Sequence, residues 1–373
     1  MRNQTQFIVE LSKLAGNYSK LKKLTPKNET IFMVKANAYG HGLVEIVDFA
    51  YKNLGIREFG VASIGEAITL RKALIKEPFE IYVFSDLELG IKKCEEAYTD
   101  FRIIPVIANF LDLELVLNNK NFKFMPLFLK LNTGMNRLGF AQKDWQKLIQ
   151  KLQEKNIKEI YHLCTHFSSS FYPVSENKKI EEQLAAFNNA KKLFRDNQIN
   201  IKYSSVANSG AIEQGIGLAE THVRPGIMLY GPSCLERTKS SWSGESISRL
   251  STYILDKFEI KKGESFGYAD TKIDQDGVML ILPVGYGDGV TRNYRGVKIS
   301  YKNQIGEVVG RINMDMIYLF FKEAKLESFK IGDAILVWGH DQKDVISIAD
   351  IAGTITYEIF CQISLRVPKI YKI

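Results

Sequence analysis

The chain has 373 residues, 45% of them hydrophobic, so it can bury a large core and is long enough for two domains. Its formal net charge is +8, but the lysines are spread along the chain and often alternate with glutamates, as on solvated helix faces. No nucleic-acid motif, signal-peptide core or membrane-length apolar run accompanies the charge, so we expect a cytoplasmic protein with neither a nucleic-acid nor a membrane partner.

The first part of the chain alternates short apolar runs with helical patterns. A short opening strand at residues 6–9 precedes an amphipathic helix predicted over residues 11–24. Eight apolar runs then alternate with polar helical segments, which predicts a (β/α)8 barrel of the TIM type. The runs are residues 31–34, 59–63, 80–84, 103–107, 126–131, 160–166, 203–207 and 223–230.

The pattern changes near residue 236. Residues 237–248 are rich in Ser and Lys and predict a linker, and turn-punctuated strand patterns follow it. Two short helices are expected at residues 347–354, capped by Ser347, and at residues 357–365. We therefore expect an α/β fold with a barrel over residues 1–236 and a mostly-β domain over residues 237–373. The six predicted strands are residues 252–260, 277–283, 297–301, 306–311, 316–321 and 334–338.

The run Ile31–Val34 is followed by Lys35, whose ammonium group is costly to bury without a partner. A lysine that is desolvated on one side at the C-terminal mouth of a barrel strand can form a Schiff base, whereas a lysine that snorkels to solvent has no such role. Gly40 and Gly42 permit a tight turn directly after it.

The other strand ends carry compatible chemistry. Asn208 and Ser209 follow the seventh run and Gly226 follows Arg224 in the eighth, the two loops where barrels commonly bind phosphate. Ordinary turn chemistry would explain each of these residues singly, but their coincidence with both loops favours a phosphorylated cofactor. Three further candidates at the same mouth are Lys130, Arg137 and His166.

The segment Val34–Gly42, with the sequence VKANAYGHG, resembles the lysine motif of the alanine racemases, which are fold-type III pyridoxal-phosphate (PLP) enzymes. The resemblance continues to the C-terminus through residues 132–139, 223–231, 285–289, 310–315 and 356–368. It implies a PLP-dependent racemase that interconverts L-alanine and D-alanine, supplies D-alanine for peptidoglycan, and works as a homodimer with shared active sites.

The resemblance also implies a role for each matching residue. Lys35 would hold the cofactor and act as one catalytic base, Arg224 would face the pyridine nitrogen with His166 beside it, and Arg137 would lie near the phenolic oxygen and the substrate. Lys130 matches a lysine that many members carry as a carbamate. The phosphate-end matches are Tyr39, Ser209, Gly226, Ile227 and Tyr357. Asn208 is a further predicted cofactor-binding residue, on the ground of its place after the seventh run. The substrate-side matches are Tyr286, Arg292 and the backbone amide of Met314.

Three positions depart from the family pattern. Phe266 stands where the family carries its second catalytic base, a tyrosine, and phenylalanine cannot transfer a proton. Tyr268 is our candidate for that role, because on a strand it would share the face of Phe266 about 6–7 Å away. Residues 168–171 lack the usual acidic residue, and Ser205 replaces a usual histidine.

The departures leave alternatives open. A PLP-dependent aldolase using Lys35 and His166 would tolerate the loss of the tyrosine. The departures at residues 168–171 and Ser205 leave a racemase for another amino acid open as well. A non-catalytic PLP-binding protein is a further possibility, although such proteins usually consist of the barrel alone. We expect no metal site, because the five histidines lack ligand spacing, and the four well-separated cysteines indicate reduced thiols.

Overall fold

The eight apolar runs form a closed parallel barrel in the computed structural model, which describes residues 4–235, 240–340 and 342–373. The predicted barrel is confirmed. Each strand pairs with its neighbours in chain order, and the eighth pairs with the first through His222 and Glu29. The barrel strands, numbered first to eighth below, are Glu29–Met33, Glu58–Ser63, Glu80–Asp86, Ile103–Ile107, Phe128–Asn132, Glu159–Cys164, Asn200–Asn208 and His222–Arg224.

Amphipathic helices cover the barrel, and the first has the bounds predicted from its apolar spacing. Among the described residues, no helix is long and apolar enough to cross a membrane. The longer helices of this half are Leu11–Leu24, Leu43–Leu54, Ile64–Ala73, Lys92–Asp100, Phe110–Asn118, Trp145–Glu154 and Lys178–Asp196. The short ones are Ser209–Glu213 and Ile227–Tyr230, and Lys35–Tyr39 forms a left-handed turn instead of a regular α-helix. Three 3-10 turns and a two-residue strand complete this half: Lys120–Phe122, Gln142–Asp144, Val174–Glu176 and Phe140–Ala141.

The C-terminal half is mostly β, as predicted. A five-stranded antiparallel sheet has the spatial order Asp256–Ile260, Gly277–Leu282, Ile317–Lys322, Gln304–Val309 and Lys298–Tyr301. A four-stranded sheet has the order Ala334–Trp338, Ser248–Tyr253, Gln6–Glu10 and Lys369–Lys372, so it contains strands from both ends of the chain. The remaining elements are the hairpin Ser265–Phe266 with Thr271–Lys272, the 3-10 turns Arg292–Tyr294 and Leu326–Ser328, and the helices Gln342–Ala352 and Thr356–Cys361.

The junction between the halves is described only in part. The predicted boundary between residues 236 and 237, and the linker residues 237–239, lie outside the described residues. Residues 240–247 form no regular element, but Trp242 is buried and donates its indole N–H to the carbonyl of Gly231 at 2.9 Å. The end of the predicted linker, Ser248, already belongs to a strand.

The two C-terminal helices differ from their predicted bounds. The first begins at Gln342, so Ser347 lies inside it and does not cap it. The carboxylate of Asp344 accepts the backbone N–H of His340 at 2.7 Å and supports the earlier start. The second helix ends at Cys361 instead of Leu365. The backbone N–H of Ser364 donates to the backbone carbonyl of Asp288 at 3.1 Å instead of continuing the helix.

His41 joins the two halves. Its buried ring lies within 2.8 Å of the Ser248 hydroxyl at Nε2 and of the Tyr39 carbonyl at Nδ1. Full burial lowers the pKa of His41 to about 3 and keeps the imidazole uncharged, although the hydrogen bonds to the Tyr39 and Ala38 carbonyls oppose this shift. The backbone carbonyl of His41 also accepts the Tyr371 hydroxyl at 3.0 Å, so the last strand of the chain is tied to the Lys35 motif.

Candidate active site

The C-terminal ends of the barrel strands open into a cavity whose empty space, counted together with the solvent at its open mouth, is about 750 Å³. Every residue predicted to bind the cofactor lines this cavity, together with Lys130, Arg137 and His166. The cofactor-binding predictions found there are Lys35, Tyr39, Asn208, Ser209, Arg224, Gly226, Ile227 and Tyr357. These residues come from the C-terminal ends of the first, seventh and eighth barrel strands, the segments directly after them, and the helix Thr356–Cys361, so the barrel and the C-terminal half assemble the cavity together.

Lys35 stands at the start of a left-handed turn that replaces the expected end of a strand. The strand ends at Met33, and Ala36, Asn37, Ala38 and Tyr39 all have φ between 52° and 56°. Each such residue costs about 1–2 kcal/mol, so the turn persists only where surrounding contacts offset that cost.

Neighbouring groups impose this turn. The side chain of Asn37 accepts the N–H of Leu43 at 2.8 Å, and a Cβ at Gly40 would overlap the carbonyl oxygen of Phe360. The packed C-terminal helix therefore holds the turn that carries Lys35 at the cavity wall.

The cavity is strongly cationic. Lys35, Lys130, Arg137 and Arg224 line it, and no acidic side chain does so among the described residues. Burial and the nearby Arg137 lower the pKa of Lys35, and burial with Arg137 and Arg224 lowers the pKa of Lys130. The lowered pKa raises the neutral, nucleophilic fraction of the Lys35 amine, while the arginines favour an anionic ligand.

Arg224 is a buried guanidinium without a carboxylate partner among the described residues. It donates to the carbonyl of Thr165 and to the hydroxyl of Ser205, with a longer bond of 3.4 Å to the carbonyl of Val206. Burial and the charge of Arg224 hold the pKa of His166 well below its usual range, so this imidazole is neutral. The guanidinium therefore faces the cavity as a fixed positive charge that is not neutralised.

Hydroxyl groups and backbone donors converge at the far end of the cavity. The Ser209 hydroxyl accepts the N–H of Gly226 at 3.0 Å, and Asn208 accepts the Ser170 hydroxyl at 2.6 Å. A Cβ at Gly226 would overlap the Tyr39 hydroxyl, so glycine keeps this end open. Burial raises the pKa values of Tyr39 and Tyr357, and both phenols stay protonated as hydrogen-bond donors.

These features fit a phosphorylated aldehyde such as PLP. A partly neutral amine is placed to react with an aldehyde, the phenols and the glycine-cleared end suit a phosphate, and Arg224 suits a neutral ring acceptor.

Four predicted residues lie elsewhere, and one of them is Arg292, which is exposed in the 3-10 turn Arg292–Tyr294. Tyr268, Tyr286 and Met314 of the C-terminal half are not part of the cavity wall, and their side chains are 67%, 45% and 54% exposed. The loops of Tyr286 and Met314 are joined by backbone bonds from Tyr286 to Asn313 at 3.0 Å and from Gly287 to Met314 at 2.9 Å. We call the exposed parts of the C-terminal half that carry these three residues the C-terminal face.

Comparison with known proteins identifies the family. The alanine racemase N-terminal domain model matches residues 9–234, and the alanine racemase C-terminal domain model matches residues 247–371. This chain belongs to the alanine racemase family.

Curated family members and solved structures agree along the whole chain. Alanine racemases of Clostridium tetani and Methanococcus maripaludis are each 32% identical, over 97% of this chain and 94% and 97% of theirs. The crystal structure of the biosynthetic alanine racemase of Pseudomonas aeruginosa has a TM-score of 0.86 at 27% identity and covers 100% of both chains. That of Acinetobacter baumannii has a TM-score of 0.85 at 26% identity, over 99% of this chain and 100% of the other.

Phe266 is buried in this member of the alanine racemase family. Its ring packs 5.2 Å from that of Tyr318 and lies against Gly310, in a cluster separate from the main core. The strand ends at Phe266, and the chain turns through Gly267, with φ of 58°, before it returns at Thr271. Tyr268 therefore lies in the turn. The sequence prediction that strand alternation puts its hydroxyl on the face of Phe266 does not apply, because Tyr268 is not on the strand.

Sequence reasoning missed four residues of the cavity wall: Met33, Phe84, Ser85 and Cys164. The signal for Cys164 was alternation along the sixth barrel strand, which points residues 162 and 164 inward. Lys130 is its register partner on the fifth strand. Ser85 follows the apolar run of the third strand, where a polar residue reaches the barrel mouth.

Proposed function

We propose that this chain is a PLP-dependent racemase that interconverts L-alanine and D-alanine. The names of relatives that are 32% identical over nearly the whole chain support this substrate. The observation that carries the proposal is the cationic barrel mouth, where Lys35, with its lowered pKa, shares one cavity with the buried Arg224 and the opening at Gly226.

In this proposal, different residues of the cavity bind different parts of the cofactor. The amine of Lys35 would bind the aldehyde carbon, Arg224 would donate to the pyridine nitrogen, and Arg137 would lie near the phenolic oxygen. Bound in this way, PLP withdraws electrons from the substrate and acidifies its Cα–H bond. The phosphate would be held by Tyr39, Asn208, Ser209, Gly226, Ile227 and Tyr357.

Proton transfer at Cα needs a group on each side of the substrate. We assign one side to the Lys35 amine, and the other to the Tyr268 hydroxyl of a second copy of the chain. The Met314 amide and Arg137 would hold the substrate carboxylate, and Tyr286 would line the entrance. His166, which is neutral beside Arg224, would keep that guanidinium directed at the ring without adding a charge.

A homodimer would complete the site. The cavity wall contains none of Tyr268, Tyr286 and Met314, and all three are exposed on the C-terminal face. A two-fold assembly in which this face covers the partner's barrel mouth would supply the missing groups twice. We place the enzyme in the cytoplasm as a source of D-alanine for peptidoglycan, in keeping with four cysteines that form no disulfide.

The test is to load the protein with PLP, supply L-alanine and D-alanine in separate reactions, and follow both enantiomers by chiral chromatography. Because enantiomers have equal free energies, both reactions should converge on equal amounts of the two. The Lys35→Ala variant, prepared in the same way, controls for contaminating racemase. A protein that binds PLP but converts neither enantiomer would refute the assignment, and parallel reactions with serine would show whether another amino acid is preferred.

A further inference from the structure

A serine and a histidine lie behind Arg224 inside the barrel. The guanidinium donates from Nη1 to the Ser205 hydroxyl, and Ser205 in turn lies 2.8 Å from Nε2 of His162. Ser205 and His162 have no exposed surface, and Arg224 is only 4% exposed. The three side chains come from the seventh, sixth and eighth barrel strands, so the contact ties together three neighbouring strands beneath the cavity.

His162 makes few other polar contacts. Among the described residues its Nδ1 atom has no hydrogen-bond partner, and the ring stacks on Phe128 at 4.1 Å between centroids. A phenylalanine would stack equally well and would avoid a buried polar atom without a partner. The imidazole therefore has one identifiable task, which is its bond to Ser205.

The direction of the bonds follows from the donors. The Ser205 oxygen accepts from Arg224, which has only donors, so the serine proton is free for Nε2 of His162. Burial, together with the nearby His222 and Arg224, keeps the pKa of His162 well below its usual range, so the neutral ring can accept that proton. A neutral chain of this kind fixes the guanidinium without cancelling its charge.

We propose that His162 and Ser205 form a positioning pair that fixes Arg224 toward the cofactor ring. The imidazole comes from the strand adjacent to that of Ser205 and acts on Arg224 through the serine hydroxyl. The inference rests on the proposed function, because it concerns how Arg224 meets the pyridine nitrogen of PLP. A loosened Arg224 would admit water and allow that nitrogen to be protonated, which strengthens the ring as an electron sink.

A stronger sink favours a side reaction. In it alanine passes its amino group to PLP and moves its Cα hydrogen, as a proton, to the cofactor carbon, which gives pyruvate and pyridoxamine phosphate without any further reactant. The number of pyruvate molecules released per racemisation event therefore reports on the position of Arg224. A purely structural role for His162 would change protein stability without changing this ratio.

The experiment compares four variants with the wild-type holoenzyme. His162→Phe keeps the flat ring over Phe128 and removes Nε2, and Ser205→Ala breaks the same link with a smaller change. His162→Gln keeps a polar group within reach of Ser205. Tyr203→Phe is the matched control, because Tyr203 lies 6.4 Å from the His162 ring and makes no side-chain hydrogen bond to Ser205 or Arg224 among the described residues. The readouts are PLP affinity, the absorbance spectrum of bound PLP, the pyruvate ratio and the melting temperature of the apo-protein.

We expect His162→Phe and Ser205→Ala to weaken PLP binding about tenfold, to shift the PLP absorbance, and to raise the pyruvate ratio about tenfold. His162→Gln should stay within about threefold of wild type, and Tyr203→Phe should match it. The apo-protein of His162→Phe should melt close to wild type, because the loss of the unpartnered Nδ1 atom offsets the Ser205 hydroxyl that is left without its acceptor.

Two results would overturn the positioning pair. One is a folded His162→Phe or Ser205→Ala protein with the wild-type PLP spectrum, PLP affinity and pyruvate ratio. The other is equal changes in His162→Gln or Tyr203→Phe, which would assign the effect to general repacking. If wild-type protein bound PLP without racemising alanine, the proposed function would fall, while PLP affinity and spectra would still test the pair.

Discussion

The barrel mouth and the C-terminal face present their site residues in opposite ways. At the barrel mouth, Lys35, Arg224 and their neighbours converge on one cavity and shift one another's pKa values. On the C-terminal face, Tyr268, Tyr286 and Met314 are about half exposed or more and share no cavity with them. The barrel mouth is a nearly complete cofactor site. The C-terminal face carries exposed groups that can act only on a cofactor and substrate held by another surface.

The largest loss of activity should follow a substitution at the barrel mouth. Lys35→Ala should lower racemisation by about 10⁴-fold or more, because it removes both the amine that attaches the cofactor and one proton-transferring group. Borohydride reduction of the PLP-loaded wild-type protein, followed by peptide mass spectrometry, should place the label on Lys35. Lys130→Ala should keep this label, and a label on Lys130 in the wild type would contradict the assignment.

The C-terminal half is tested by Tyr268→Phe, which removes one hydroxyl from an exposed turn. We expect about a 10²-fold fall in kcat in both directions with little change in PLP affinity, since only a proton-transferring group is lost. Adding Phe266→Tyr to this variant should not restore activity, because the ring at 266 is buried against Tyr318. Full activity in Tyr268→Phe would instead place the second proton donor elsewhere.

A smaller effect is expected from Gly226→Ala at the phosphate end of the cavity. The added Cβ would overlap the Tyr39 hydroxyl and lie 3.0 Å from its Cζ, so one of them must move. PLP binding should weaken about tenfold, as measured by titration of the apo-protein. Gly16→Ala is the matched control, because nothing lies within 4 Å of a Cβ at that position. Unchanged binding in Gly226→Ala would show that the phosphate sits elsewhere.

The smallest effect concerns His41, which joins the two regions. Its pKa is lowered to about 3, so between pH 6.5 and 3 the unfolded chain binds a proton that the native protein does not. The free energy of unfolding should therefore fall as the pH drops below 6.5, by at most about 1.4 kcal/mol per pH unit from this residue. Urea unfolding at several pH values should show a shallower fall in His41→Gln, whereas the exposed His340→Gln should behave as wild type.

The contrast between the barrel mouth and the C-terminal face also explains how much of the fold and of the site could be predicted from the sequence. Barrel strands are local apolar runs, and a residue at the end of such a run reaches the barrel mouth whatever the helices do. Lys35, His166 and Arg224 could therefore be assigned to one site in advance. The C-terminal face depends on hairpin geometry, and nothing in the residues around Gly267 shows that the strand stops at Phe266.

Other features depend on contacts that are distant in sequence. The left-handed turn at Ala36–Tyr39 contains no glycine, so its positive φ values leave no mark in composition. It exists because residues such as Phe360, more than 300 positions away, occupy the space around it. The bond from Ser205 to His162 likewise requires knowing how neighbouring strands are staggered.

In the proposed dimer, each active site combines Lys35 of one chain with Tyr268 of a second copy. The most direct test of this arrangement is complementation between two inactive variants. Lys35→Ala and Tyr268→Phe subunits, carrying different affinity tags, would be co-expressed and the mixed dimer purified through both tags. Each mixed dimer would hold one site with both residues intact, so it should show about half the wild-type kcat per dimer although each parent is nearly inactive. A mixed dimer no more active than its parents would place Lys35 and Tyr268 in the same chain's site and contradict the shared arrangement.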